Sequence, residues 1–157
     1  MHQAILLLGS NIFPAENIPT AIALLQEYCH VLSLSILWET LAVGNPGPNF
    51  LNIAVLVETE RESEAFKWQI IRPIEDKMGR VRTSNKNAPR TIDIDIIIWD
   101  GQVTDSHVWT WAHIALPVSA LAPQLVDPAT GKSLQDIARE LREESRAVPH
   151  PEFFGFQ

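Results

Sequence analysis

An α+β fold of the ferredoxin-like kind, a βαββαβ core with an antiparallel sheet and C-terminal additions, is predicted by three observations. Four apolar runs, over Ala4–Leu8, Val31–Thr40, Phe50–Thr59 and Thr91–Trp99, read as strands bounded by turn residues. Two segments with apolar residues at helical spacing, Pro19–Cys29 and Ser63–Met78, follow the first and third of them. The second and third strands are close enough in sequence to pair, which gives the order strand, helix, strand, strand, helix, strand. Such a sheet hosts many chemistries, so the site must be read from its own residues.

Each element has a local reason. The first strand closes on Gly9-Ser10-Asn11, a turn signal. Asn17 is placed to cap the first helix, Pro19 sits in its first turn, and Ile22, Leu25 and Cys29 make its stripe. The second strand ends in the loop Ala42-Val43-Gly44-Asn45-Pro46-Gly47-Pro48. Thr59-Glu60-Arg61-Glu62 has capping-box spacing ahead of the second helix. In that helix Phe66, Ile70, Ile74 and Met78 face the core, Pro73 predicts a kink, and Gly79 predicts the stop. The segment Ser106–Pro117, with His107, Trp109, Trp111 and His113, has no clear period. Neither has the tail Pro149–Gln157, although Ser133–Glu144 between them reads as a helix.

The 157 residues fit one domain (1–157), with 46% hydrophobic and 20% charged residues. No apolar stretch approaches a membrane span and the start lacks a signal-peptide pattern, so a cytoplasmic location is expected. Cys29 is the single cysteine and reads as a packing residue. A net charge of −7 argues against a nucleic-acid partner. Five of the twelve Lys and Arg residues (Lys77, Arg80, Arg82, Lys86, Arg90) nevertheless cluster within one short stretch, which favours a small anionic ligand. The sequence carries no signal of oligomeric state.

Directly after that cluster, Pro89-Arg90 leads into Thr91-Ile92-Asp93-Ile94-Asp95-Ile96-Ile97-Ile98. On a strand Ile92, Ile94, Ile96 and Ile98 share one face, while Asp93 and Asp95 share the other, roughly 7 Å apart at their bases. Paired Asp residues are often a strand's solvent face. Asp is disfavoured in strands, however, and cations beside the pair suit Mg²⁺ with a polyphosphate. Gly131-Lys132-Ser133 is no P-loop, because Val126 stands where that loop needs a Gly.

The stretch Lys86–Ile97, together with Leu8-Gly9-Ser10-Asn11, Phe50-Leu51-Asn52 and Gly79-Arg80-Val81-Arg82, resembles the 6-hydroxymethyl-7,8-dihydropterin pyrophosphokinase family of folate biosynthesis. The resemblance implies transfer of pyrophosphate from ATP to a pterin alcohol on a ferredoxin-like fold. It implies that Asp93 and Asp95 bind two Mg²⁺ ions, that Asp95 also helps deprotonate the alcohol, and that Arg80 and Arg90 act on the phosphates. Arg82 and Glu75 would join the ATP side, although Glu75 is equally placed for a solvated helix face. Thr40, the backbone near Val43, Phe50, Asn52 and His113 would form the pterin side; Phe50 by position alone is equally a core aromatic. The implied partners are small molecules only, with ATP as co-substrate.

Two departures from the family pattern stand out. Asn87 replaces a Trp of the loop before Pro89-Arg90, and the segment after Val103 is several residues shorter. Counting back from Pro117 puts Trp111 at the family's Arg and His113 at its Phe. His113 then stacks on the pterin or replaces a phosphate-binding His, Trp109 or Trp111 supplies the second wall, or these aromatics simply cover a shortened loop. A diverged paralogue acting on another small alcohol or pterin, and a non-catalytic pterin- or nucleotide-binding module, are the alternatives to the pyrophosphokinase.

Overall fold

A computed structural model describes residues 1–40, 49–80 and 91–151. The elements are β1 (His2–Ser10), α1 (Pro14–Tyr28), β2 (His30–Leu34), β3 (Leu37–Thr40), β4 (Phe50–Thr59) and α2 (Ser63–Phe66). A π turn (Lys67–Ile71) joins α2 to α3 (Arg72–Lys77). There follow β5 (Asp93–Trp99), β6 (Gln102–Val103), a 3₁₀ turn (Ser106–Trp109), α4 (Ala112–Leu121), α5 (Leu134–Glu144) and β7 (Val148–His150). The strands form one antiparallel sheet in the order β6-β5-β1-β4-β3-β7, with β2 also on β4. This is the ferredoxin-like α+β arrangement with additions at the edges.

Strand alternation splits the apolar residues between two cores. Ala4, Leu6 and Leu8 of β1 pack with Ile53, Val55 and Val57 of β4 beneath α1 and α3. Ile5 and Leu7 turn the other way, joining Ala54 and Ile97 beneath α4 and α5. A sheet covered on one side by two helices, as the element order suggests, is therefore corrected: helices cover both faces. In α4 the run Ile114 to Val118 is buried throughout, so it shows no amphipathic stripe.

Several boundaries also differ from the expected ones, each for a local reason. Helix α1 begins at Pro14, whose fixed φ suits the first helical position. Phe13 in the left-handed region (φ 42°) turns the chain, and its carbonyl accepts from the amides of Glu16 and Asn17. Asn17 is thus inside the helix rather than its cap, and its Nδ2 donates to the Ile12 carbonyl at 2.6 Å. The expected strand Val31–Thr40 breaks at Ser35. There the buried Ser35 pairs with Ala54 through its own amide, at 2.9 Å, and through an Oγ that accepts from the Ala54 amide, also at 2.9 Å. Thr59 caps no helix; it ends β4, with Oγ1 accepting from the Arg61 amide. The π turn, in which the Arg72 amide reaches back to the Lys67 carbonyl, precedes Pro73 and absorbs its missing donor in place of a sharp kink. Gly79, at φ 79°, terminates α3 as expected.

In β5 the alternation fails at one point. Ile5 pairs with Ile98 but Leu6 pairs with Ile96, so Ile97 is an extra, bulged residue. Ile92 and Ile94 stay with the α1 side, whereas Ile98 joins Ile97 on the α4 side. The tail contributes β7, which pairs with β3 and places Val148 opposite Glu39. Glu39 bonds His150 Nε2 and the Asn49 amide, both at 2.9 Å, fastening this strand at the edge. Among the described residues no helix is long and apolar enough to cross a membrane.

Candidate active site

Strand register alone assembles a row of side chains across the α4 face of the sheet. Thr40 pairs with Phe50, Asn52 with Gly9, Gly9 with Asp93, and Leu7 with Asp95. Paired residues share a face, so these side chains floor a single cavity of about 870 Å³. The start of α4 and the link from α5 to β7 supply its walls. The described residues thus bring together Thr40, Phe50, Asn52, Asp93, Asp95 and His113. Val43, Arg82, Arg90 and Asn87 lie outside the described residues.

At one end Asn52 is buried, and its Nδ2 donates to Thr40 Oγ1 at 3.1 Å. That bond orients the amide, leaving Oδ1 toward Gly9 as an acceptor. A Cβ on Gly9 would lie 2.7 Å from this oxygen, so the glycine is what lets the amide occupy its place. Phe50 lines the cavity and is only partly buried, so its ring is available to a flat ligand rather than sealed in the core.

At the other end the carboxylates are graded by their surroundings. Glu75 is buried (1% exposed), and its Oε2 accepts from Arg80 Nη1 at 2.8 Å and from the Ile94 amide at 2.9 Å. The solvated helix face is thereby excluded for Glu75. Arg80 Nη1 also donates to Asp93 Oδ1 at 2.7 Å. Arg80 is therefore turned inward behind Asp93, outside the cavity lining, where it offsets two carboxylates at once. Its Nε is buried without a hydrogen-bond partner among the described residues.

Asp95 is reached by water at the cavity floor but enclosed by protein on its other sides. Burial first, then the charges of Asp93, Glu75 and Asp105, push its carboxyl up to about 7, with Arg80 opposing. Carboxylates crowded in this way favour a cation, and an all-oxygen donor pair suits Mg²⁺. Among the described residues no three His, Cys, Asp or Glu side chains converge to hold a metal by themselves. A cation held by Asp93 and Asp95 would therefore complete its shell with water or ligand oxygens, as Mg²⁺ does at nucleotide sites.

The shortened segment forms a stack of three rings. His107 lies on Trp111 at 3.7 Å between centroids and 14° between planes, and Trp111 meets His113 at 5.5 Å. Asp105 Oδ1 bonds His107 Nδ1 at 2.9 Å and accepts from the His107 amide at 3.0 Å. His107 is so committed, whereas His113 faces the cavity; burial holds its imidazole below the usual value and keeps it neutral. Of the two tryptophans, Trp111 lines the cavity and Trp109 packs into the core under α4. Asp105, beside the carboxylate pair, and Arg146, on the opposite wall, have no counterpart in the sequence reading. Neither belongs to a motif, and only the tertiary fold brings them here.

Residues 5–123 match the profile of the family described as 7,8-dihydro-6-hydroxymethylpterin-pyrophosphokinase (HPPK). The chain is 37% identical over 150 residues to the folic acid synthesis protein fol1 of Schizosaccharomyces pombe, a match covering 88% of this chain but 20% of that protein. It is 29% identical over 151 residues to a 2-amino-4-hydroxy-6-hydroxymethyldihydropteridine pyrophosphokinase of Synechocystis, covering 89% of this chain and 76% of that one. A crystal structure of Plasmodium falciparum HPPK-DHPS superimposes with a TM-score of 0.71 at 13% identity, over 92% of this chain and 44% of the other. That last likeness speaks to the fold. The chain thus spans about a fifth of the fission-yeast protein and under half of the Plasmodium one.

Proposed function

The chain belongs to the 7,8-dihydro-6-hydroxymethylpterin-pyrophosphokinase family, and we propose that its cavity transfers a pyrophosphoryl group from ATP to 6-hydroxymethyl-7,8-dihydropterin. The observation that carries the reading is the single row from Thr40 to Asp95. It sets a heterocycle-sized end beside a carboxylate end on one rigid sheet face, so that alcohol and polyphosphate meet between them.

In this reading the pterin lies against Phe50, with Asn52 Oδ1 accepting from the amino or N–H edge of the ring. Thr40 holds that amide in place, and the neutral His113 offers an opposing face. Asp93 and Asp95 would hold Mg²⁺, which when bound neutralises phosphate charge and polarises the phosphoryl group under attack. Arg80 fixes Asp93, and Glu75 fixes Arg80. Asp95 accepts a hydrogen bond from the substrate hydroxyl. The hydroxyl oxygen forms a bond to the β-phosphorus while the bond from that phosphorus to the α-phosphate oxygen breaks, releasing AMP; the hydroxyl proton leaves toward Asp95 or water. Arg90 is the residue expected to pair with phosphate oxygens as charge develops, while Arg80, turned behind Asp93, acts on them through that carboxylate. The test is steady-state release of AMP in the presence of Mg-ATP, with and without the pterin alcohol. AMP release that requires the pterin and falls at least about 100-fold in Asp95→Asn supports the reading. AMP release indifferent to the pterin, or unchanged in the variant, overturns it.

One observation favours a second reading. The His107–Trp111–His113 stack puts an aromatic and an imidazole where the family pattern has an Arg and a Phe. A paralogue acting on a different small alcohol would show metal-dependent ATP binding but no AMP from this pterin. ADP in place of AMP would mean transfer of a single phosphoryl group.

A further inference from the structure

We propose that Arg146, on the link between α5 and β7, is a specificity-determining residue that donates hydrogen bonds to the acceptor edge of the bound heterocycle; this rests on the pterin reading above. Three observations carry it. The first is position. Val148 of β7 lies opposite Glu39 on an antiparallel partner, so Ala147 comes level with Thr40, the end of β3, and Arg146 lies one residue beyond. Thr40 in turn pairs with Phe50. Arg146 therefore lines the cavity at its heterocycle end, away from the carboxylate end.

The second observation is that Arg146 is uncommitted among the described residues. It makes no hydrogen bond, ion pair or ring contact among the described residues, although Glu144 lines the same cavity two residues earlier. It is also the one Lys or Arg among the described lining residues. The link is nevertheless anchored, by the β3–β7 pairing and the bond between His150 and Glu39. Arg146, a solvent-exposed residue, is thus held at the cavity wall by a fixed backbone.

The third observation is a shortage of charged donors. Asn52 commits one of its two Nδ2 hydrogens to Thr40 and keeps Oδ1 as an acceptor. The carboxylates are acceptors only, and Phe50 and Ala147 offer neither donor nor acceptor. A pterin ring carries donors on its amino and N–H edge and acceptors at its carbonyl and ring nitrogens. The acceptor edge needs donors, and Arg146, with five N–H groups on a planar fork, is the one cationic donor among the described lining side chains, beside the neutral N–H or O–H groups of Thr40, Asn52, Thr110, Trp111, His113 and Ser145. A heterocycle lacking a carbonyl at that edge would leave the guanidinium unmatched, which is how the residue discriminates.

The experiment titrates wild type, Arg146→Ala and Arg146→Lys with 6-hydroxymethylpterin, following ligand fluorescence, and separately with a non-hydrolysable ATP analogue plus Mg²⁺. A charged hydrogen bond lost at a cavity wall predicts pterin affinity reduced roughly 10- to 100-fold in Arg146→Ala, with partial recovery in Arg146→Lys. Affinity for the nucleotide analogue should change less than about 2-fold, and the melting temperature should stay within about 2 °C, because no internal contact is removed. Pterin affinity within about 2-fold of a wild type that does bind overturns the role of Arg146 and leaves the pyrophosphokinase reading standing. Equal losses for pterin and nucleotide also overturn it, since they report a general distortion. A wild-type protein that binds no pterin overturns the reading on which the inference rests, and the inference with it.

Discussion

Replacing Gly9 by Ala tests whether the pterin end is held as tightly as its geometry demands. The added Cβ would sit 2.7 Å from Asn52 Oδ1 and 3.8 Å from Phe50 Cδ1. The backbone at Gly9 has no positive φ, so the strain comes from contact rather than from conformation. Asn52 is the group that must yield, yet it is buried and bonded to Thr40. Losing that bond costs about 1 kcal/mol, and forcing a methyl into a packed site costs about 1–3 kcal/mol. The better strand fit of Ala over Gly returns about 0.5–1 kcal/mol. The net expectation is a loss of about 1–3 kcal/mol, a fall in melting temperature of roughly 3–10 °C for a chain of this length. Pterin affinity should fall at least about 10-fold because the acceptor oxygen is displaced, while binding of the Mg²⁺ nucleotide analogue stays within about 2-fold. Calorimetry and fluorescence titration read the two effects. In an Asn52→Ala background the same substitution should cost under about 1 kcal/mol, because the clashing oxygen is gone. A Gly9→Ala protein that melts within about 1 °C of wild type and binds pterin normally would refute the reasoning.

Glu75→Ala should destabilise the protein by about 3–5 kcal/mol, since it leaves Arg80 under-compensated and the Ile94 amide without its acceptor. Chemical denaturation measures this, and a loss below about 1 kcal/mol would contradict the anchoring role. For Asp95 the folded carboxyl titrates near 7, above the value of about 3.9 in an unfolded chain. Folding therefore takes up a proton between those values, and stability from this group is lost as pH rises from about 4 to about 7. In EDTA, Asp95→Asn should gain stability over wild type through that window and plateau above it, by about 1 kcal/mol once screening by the accessible water is allowed for. A stability difference independent of pH would show that Asp95 is not crowded as described. His2 lies between Asp100 and Glu62, and its hydrogen bonds to those two carboxylates raise its pKa. The stabilisation this gives is complete below about 6.5 and fades as pH rises through the raised value. His2→Gln should remove that part of the pH dependence of the melting temperature, and an unaltered profile would count against the clamp.

The parts of the fold that repeat regularly were legible in the sequence. The order of strands and helices, the Gly79 stop, the last helix and the shared face of Asp93 and Asp95 all follow from period and local chemistry. What escaped depends on tertiary contact. Helix α4 is buried from Ile114 to Val118 and contains Pro117, so no stripe marks it. Strand β7 has three residues, one of them Pro149, and exists because β3 offers an edge. The bulge at Ile97 is a register event between β1 and β5 that no single run of residues reveals. The inward turn of Arg80 follows from the burial of Glu75, which helical spacing alone left open. Arg146 enters the cavity through a connection distant in sequence from the carboxylate strand, and Asp105 through the turn that follows β6.

The most direct test of the central claim follows the label from ATP in a single turnover with 6-hydroxymethyl-7,8-dihydropterin and Mg²⁺. Transfer of a pyrophosphoryl group predicts that label in the γ-phosphate appears in the pterin product, and label in the α-phosphate appears in AMP, in equal amounts. Label from the γ-position reaching the pterin with the α-label recovered in ADP, or reaching only free phosphate, would contradict the account.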